Sequence, residues 1–123
     1  MYNPGMPPIR LAAPARALVL TLVIGASVAA QVPSKAEIEK GRQVFEQMKC
    51  LLCHSLEGKG GKLSVALDGV ALRRDAEAMR WILTDPDKAL AGSKAKVKMP
   101  VFPFKEGERE ALIAYLQTLR PAK

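Results

Sequence analysis

One histidine, two cysteines and six aromatic side chains leave this 123-residue chain few ways to build a reactive site. A single imidazole excludes any centre assembled from several histidines. Two cysteines are too few for a disulfide-dense scaffold. No apolar run reaches the roughly 20 residues of a membrane span, which excludes a polytopic membrane protein. Nothing alternates convincingly with period two, so helices carry the expected fold. The length suits one domain and not two. With 49% apolar and 25% charged residues, the chain is not a disordered one.

Acidic residues are missing altogether from residues 1–30, where Arg10 and Arg16 are the only charges. The apolar stretch ALVLTLVIGASVAA, from Ala17 to Ala30, follows them and ends in small residues. A basic start, a short apolar middle and small residues at a cut site describe a secretory signal peptide. Cleavage after Ala30, with Val28 and Ala30 at the recognition positions, is expected to leave Gln31 as the new N-terminus. The alternatives are an uncleaved anchor or a core helix, and 14 residues are short for a span. Residues 31–123 then form a domain of 93 residues with net charge +5. A chain that small is marginally stable without a disulfide, metal or cofactor. Export also favours oxidation of paired cysteines.

Within 31–123 the helical signals are strong. Ser34 and Glu37 form a capping-box pattern that opens SKAEIEKGRQVFEQMK, where Ile38, Gly41, Phe45 and Met48 recur at helical spacing. Gly41 costs about 1 kcal/mol against alanine inside a helix, so a crossing helix is expected there. Residues 55–74 are expected to be irregular, with Gly58, Gly60 and Gly61 marking a loop. Asp75 caps a second helix through AEAMRWILT, with Met79, Ile82 and Leu83 on one side. Asp85–Pro86 ends that helix and starts a short one, PDKAL, closed near Gly92. Residues 93–104 read as an extended loop with two prolines. The closing GEREALIAYLQTL puts Leu112, Tyr115, Leu116 and Leu119 on a stripe that suits the Gly41/Phe45 face.

Cys50-Leu51-Leu52-Cys53-His54 gathers both cysteines and the only histidine into five residues. This is the attachment pattern of a c-type haem. Each thiol adds across one vinyl group to give a thioether, and two intervening residues let both sulfurs reach one edge of the ring. Histidine directly after the second cysteine is delivered beneath the iron. A covalently held porphyrin would also supply core that a 93-residue domain lacks. Three other readings compete. A thioredoxin-type pair expects a βαβ context that is absent. Zinc would find only three soft ligands. A plain disulfide leaves the histidine unused.

The sixth position of such an iron has few candidates. No second histidine exists, and the methionines beyond the leader are Met48, Met79 and Met99. Met48 is too close to the motif to reach the other face, and Met79 belongs to an apolar stripe. Met99 lies in the loop beside the stiffening Pro100, and is the expected axial ligand; the alternative is a loop methionine that plugs the core. A thioether stabilises ferrous iron and raises the potential. With both axial positions filled, electron transfer is favoured over catalysis.

On these residues the chain resembles the small class I cytochromes c over most of 35–120. The likeness runs through Gly41 and Phe45, CLLCH, ALDGV at 66–70, RWILTDP at 80–86, KMPVF at 98–102 and LIAYL at 112–116. The resemblance implies an all-α domain, its N- and C-terminal helices crossing and further helices and loops wrapped around one covalent haem. It implies Cys50 and Cys53 as attachment points, and His54 and Met99 as the axial ligands of the iron. Gly41 and Phe45 would cross Tyr115 and Leu116, and Trp81 would line the haem pocket, unless it is an ordinary core aromatic. One departure stands out. Where the family has Gly-Pro, whose proline carbonyl accepts the imidazole hydrogen bond, this chain has Ser64-Val65. Val65 still offers a carbonyl, without the rigid ring.

Lys94, Lys96, Lys98 and Lys105 surround the Met99 loop. They are expected either to steer redox partner proteins with acidic docking faces or to form a solvated lysine-rich loop. Nucleic acid suits poorly an exported chain whose aromatics sit in apolar stripes. The expected function is that of a periplasmic monohaem electron carrier rather than an enzyme, with no stable membrane span once the leader is cleaved. Rival readings are a haem-based sensor with a labile sixth ligand, a thiol–disulfide enzyme, and a cytochrome subunit of a larger oxidoreductase complex.

Overall fold

The computed structural model describes residues 31–121. The expected leader, residues 1–30, with its expected cleavage point after Ala30, lies outside the described residues. Among the described residues five α-helices carry the fold: α1 (Lys35–Gln47), α2 (Val70–Arg73), α3 (Ala76–Thr84), α4 (Pro86–Ala89) and α5 (Glu108–Leu116). The only pairing of extended chain among the described residues joins β1 (Ser55–Leu56) to β2 (Lys59–Gly60). The all-α expectation therefore holds. No helix among the described residues is long and apolar enough to cross a membrane.

Helix starts fall where short polar side chains can take up unpaired amides. The Ser34 hydroxyl accepts from the Glu37 amide at 3.1 Å, and the Asp75 carboxylate from the Ala78 amide at 2.8 Å. Asp85 ends α3 and caps α4, accepting from the Lys88 amide at 3.2 Å, with Pro86 in the first turn.

Gly41 explains the central crossing. A Cβ built there would lie 1.9 Å from the Ala111 carbonyl oxygen and 2.8 Å from Tyr115 Cβ, so α1 and α5 approach too closely for any side chain. One turn on, Phe45 meets Tyr115 edge to face, with ring centroids 5.4 Å apart. Val44, Phe45, Leu67, Val70, Met79, Leu83, Leu112, Ile113, Leu116 and Leu119 form the core. Met79 is thus a core residue, as its stripe suggests.

Two expectations need correction. The stripe on the last helix is too narrow: Ala111, Ile113 and Ala114 are buried as well, because α1 and α3 both pack against α5. Leu119 lies beyond the end of that helix. Residues 55–74 are also more ordered than expected, since they hold the β1–β2 pair and α2. Ser55 pairs with Gly60 and Leu56 with Lys59, which leaves a two-residue turn at Glu57 and Gly58. Both take positive φ, 51° and 75°, as the tightest hairpin turn requires. Glutamate rarely signals such a turn. Here the Glu57 amide donates to the Asp68 carboxylate at 3.0 Å, a support that only the folded chain displays.

Candidate functional site

The end of α1 delivers the cysteine motif. Lys49 adopts the left-handed conformation, φ 57°, and ends the helix one residue before Cys50. Cys50, Leu51 and Leu52 then form a 3-10 turn, whose first carbonyl accepts from the amides of Cys53, at 3.3 Å, and His54, at 3.0 Å. Cys50, Cys53 and His54 are thereby brought into a single turn. Both cysteines are half-buried free thiols. Burial pushes the Cys50 thiol up to about 11, with the neighbouring Cys53 adding to the shift. Low thiol pKa values mark reactive Cys-x-x-Cys pairs, and the shift at Cys50 runs in the opposite direction.

His54 is oriented by a bond from the ring to the backbone. Its Nδ1 lies 2.7 Å from the Val65 carbonyl oxygen. A carbonyl can only accept, so Nδ1 donates this bond, and Nε2 is the ring nitrogen left for a metal. The bond expected of the proline position therefore forms without the proline.

The loop supplying Val65 is laced to the cysteine turn by backbone bonds. Gly61 N–H donates to the Leu51 carbonyl at 2.8 Å, and Leu63 and Ser64 both donate to that of Cys53, at 3.1 and 3.0 Å. Leu67 donates to Ser55 at 2.8 Å. Gly61 does more than mark a loop: a Cβ there would fall 2.1 Å from the Leu52 carbonyl oxygen, so the close approach depends on glycine. Neither that approach nor the bond from Glu57 to Asp68 has a signature in the sequence.

Met99 comes from a different part of the chain. It sits in the irregular segment between α4 and α5, half-buried, and packs against the edge of the core, as Met48, Cys50 and Phe104 do. Phe102 and Phe104 stack at a tilt nearby in sequence, their centroids 5.9 Å apart. Trp81 is 56% exposed, which removes the core-aromatic reading. It borders an open cleft with Asp75, Glu77 and Ala78. Lys94, Lys96, Lys98 and Lys105 are all exposed, and Lys98 meets Asp87 at 3.3 Å.

The residues present fit a covalent porphyrin. An imidazole with a free Nε2 follows two thiols on one turn, and a half-buried thioether is available on a separate loop. Large apolar side chains are left exposed on the same segments: Leu51 and Leu52 on the turn, Leu63 and Val65 on the laced loop, Val97 and Val101 beside Met99. A domain of this size gains by covering such surface.

Comparison with known proteins identifies the family. A model of the cytochrome c family matches residues 38–120. Cytochrome c oxidase subunit 2 of Alkalihalophilus pseudofirmus is 32% identical over 108 residues, 80% of this chain and 30% of that protein. A nitric oxide reductase subunit of Halomonas halodenitrificans is 29% identical over 86 residues, 63% of this chain and 55% of that protein. The chain thus spans less than two thirds of the length of either relative. With the crossed helices, the cysteine turn and the family match in agreement, the chain belongs to the cytochrome c family, whose members carry haem c, and with it iron, on the polypeptide.

Proposed function

We propose that this chain is a monohaem electron carrier, exported to the periplasm, in which His54 and Met99 are the axial ligands and Cys50 and Cys53 the attachment points. When bound, haem supplies a one-electron iron couple, and the protein supplies its placement and surroundings. The observation that carries the reading is the 2.7 Å bond between His54 Nδ1 and the Val65 carbonyl, which leaves Nε2 as the ring nitrogen available to a metal. Met99 would offer a soft thioether on the other face, which favours the reduced state and leaves no open position for a small ligand. Leu52, Leu63, Val65 and Trp81 would exclude water from the ring. Lys94, Lys96 and Lys105 would steer acidic redox partners toward it.

The test is the ferric thioether charge-transfer band of the haem-loaded protein. It is expected in the wild type and absent from Met99→Ala, whose potential falls. A wild type that lacks the band refutes methionine ligation and favours a sensor with a labile sixth position.

A second reading keeps electron transfer but makes the chain a subunit of a larger oxidoreductase. It is favoured by the two relatives, each named as a subunit of an oxidase or a reductase. Size exclusion of native extracts separates the two: a free carrier elutes near its own mass, a subunit with its complex.

A further inference from the structure

Tryptophan occurs once in this chain, and the fold leaves it outside. The core face of α3 is made by Met79 and Leu83. Glu77 and Trp81 fall on the other side of the helix, four residues apart and therefore neighbours. At 56% exposure the indole keeps more than half of its surface in water, a cost that packing does not explain. An open cleft of about 330 Å³ lies between Asp75, Glu77, Ala78 and Trp81, ample for one incoming side chain. Of the side chains proposed to surround the ring, only Trp81 borders it.

The charges around this cleft do not cancel. Asp75 uses one carboxylate oxygen to accept from the Ala78 amide at 2.8 Å. Among the described residues neither Asp75 nor Glu77 forms an ion pair. Arg80 is turned to Glu110, and Lys88 to Asp85. Arg73, folded back by the bend at Gly69, donates to the Asp68 and Ala66 carbonyls at 2.6 and 2.7 Å. Arg74 pairs with neither carboxylate.

Two uncompensated carboxylates beside an open indole suit one kind of visitor. A cation over the indole face is attracted by the ring electrons, and a guanidinium can pair with carboxylates at its edge while its plane stacks. Tryptophan and arginine are the residues that recur at the energetic centres of protein interfaces. The lysines around Met99 have the opposite sign, so a single partner face cannot suit both surfaces.

We propose that the outer side of α3 is a docking surface for a partner protein with a basic face, an arginine of which stacks on Trp81 and pairs with Asp75 and Glu77. The proposal goes beyond the carrier reading and uses none of the attachment or axial residues.

The test follows the single indole N–H signal in NMR spectra of the reduced, haem-loaded protein during titration with an arginine-rich peptide at low salt. The indole N–H and the Glu77 and Ala78 amides are expected to shift, and the lysine version of the peptide to bind several-fold more weakly. Asp75→Asn keeps the helix cap while removing the charge. Combined with Glu77→Gln, it should weaken binding roughly tenfold, as loss of two exposed charge pairs implies. Trp81→Leu keeps both carboxylates and should also weaken binding several-fold, read from the Glu77 and Ala78 amides; it decides the matter if the double variant does not fold. The proposal is overturned if the peptide leaves the indole signal in place, or if neither variant changes the binding. Equal binding of the lysine peptide overturns it too, since charge alone would then act. So does an indole signal that moves with protein concentration alone and stops moving in Lys94→Ala/Lys96→Ala, because the occupant would then be a second copy of this chain.

Discussion

Replacing Gly41 with alanine sets helix propensity against packing, and the two predict opposite signs. Propensity alone favours alanine by about 1 kcal/mol. The structure places the added methyl 1.9 Å from the Ala111 carbonyl oxygen and 2.6 Å from its carbon, both rigid backbone of α5. A tolerable carbon–oxygen contact begins near about 3.3 Å, so the helices must part by more than about 1 Å. A gap of that size forfeits roughly a quarter to a half of each dispersion contact. Val44, Phe45, Leu112 and Leu116 line this crossing, and burial of each is worth about 1.5–3 kcal/mol. Loss of a quarter to a half of that summed burial, less the propensity gain, leaves a destabilisation of about 0.5–5 kcal/mol, with about 2 kcal/mol as the working figure. For a domain of this size the melting temperature should fall by roughly 8–16 °C. The assay is thermal unfolding of the haem-loaded protein, followed by far-ultraviolet circular dichroism. A melting temperature equal to or above that of the wild type would refute the close-crossing argument, since propensity would then be the larger effect.

Glu110 provides a pH test. It meets Arg80 through two hydrogen bonds, 2.9 and 2.7 Å, which hold its carboxyl below the usual glutamate value. A lowered folded pKa means stability present above about pH 4.5 and lost as pH falls through the folded value. The pair is 44% exposed on both sides, so solvent screening limits Glu110→Gln to a loss of about 0.5–1 kcal/mol at pH 7. The difference from wild type should close in acid denaturation profiles below the carboxylate range; a gap that persists there removes the ion pair as its cause. Steering by the lysines around Met99 predicts a rate of electron exchange with an acidic redox protein that falls steeply between low and physiological salt. A flat stopped-flow salt profile would reduce those lysines to a solvated loop.

Much of the fold is legible in the sequence because its signals are local. Ser34, Asp75 and Asp85 mark helix starts through their own side chains, and Pro86 marks a stop and a start together. Gly41 is legible for a different reason: a glycine inside a strong helical pattern demands a neighbour, and Phe45 with Tyr115 identifies it. Cys50, Cys53 and His54 are legible because covalent chemistry fixes their spacing. What escapes the sequence depends on tertiary placement. The β1–β2 hairpin turns on Glu57 in a left-handed conformation, sustained by Asp68 eleven residues away. Burial of Ile113 and Ala114 requires α1 and α3 to press on α5 together. Arg73 looks like any surface arginine until Gly69 folds it back over the carbonyls of Ala66 and Asp68. Trp81 has the hydropathy of a core residue, and only its exposure separates the two readings of it.

The central claim is a covalent bond between this polypeptide and haem through Cys50 and Cys53. The most direct measurement is the intact mass of the chain, purified from a host with working cytochrome c maturation and then fully denatured. The wild type should be heavier than its processed polypeptide by one haem, and the Cys50→Ala/Cys53→Ala double variant should carry no added mass. A wild-type chain at its bare polypeptide mass would contradict the account.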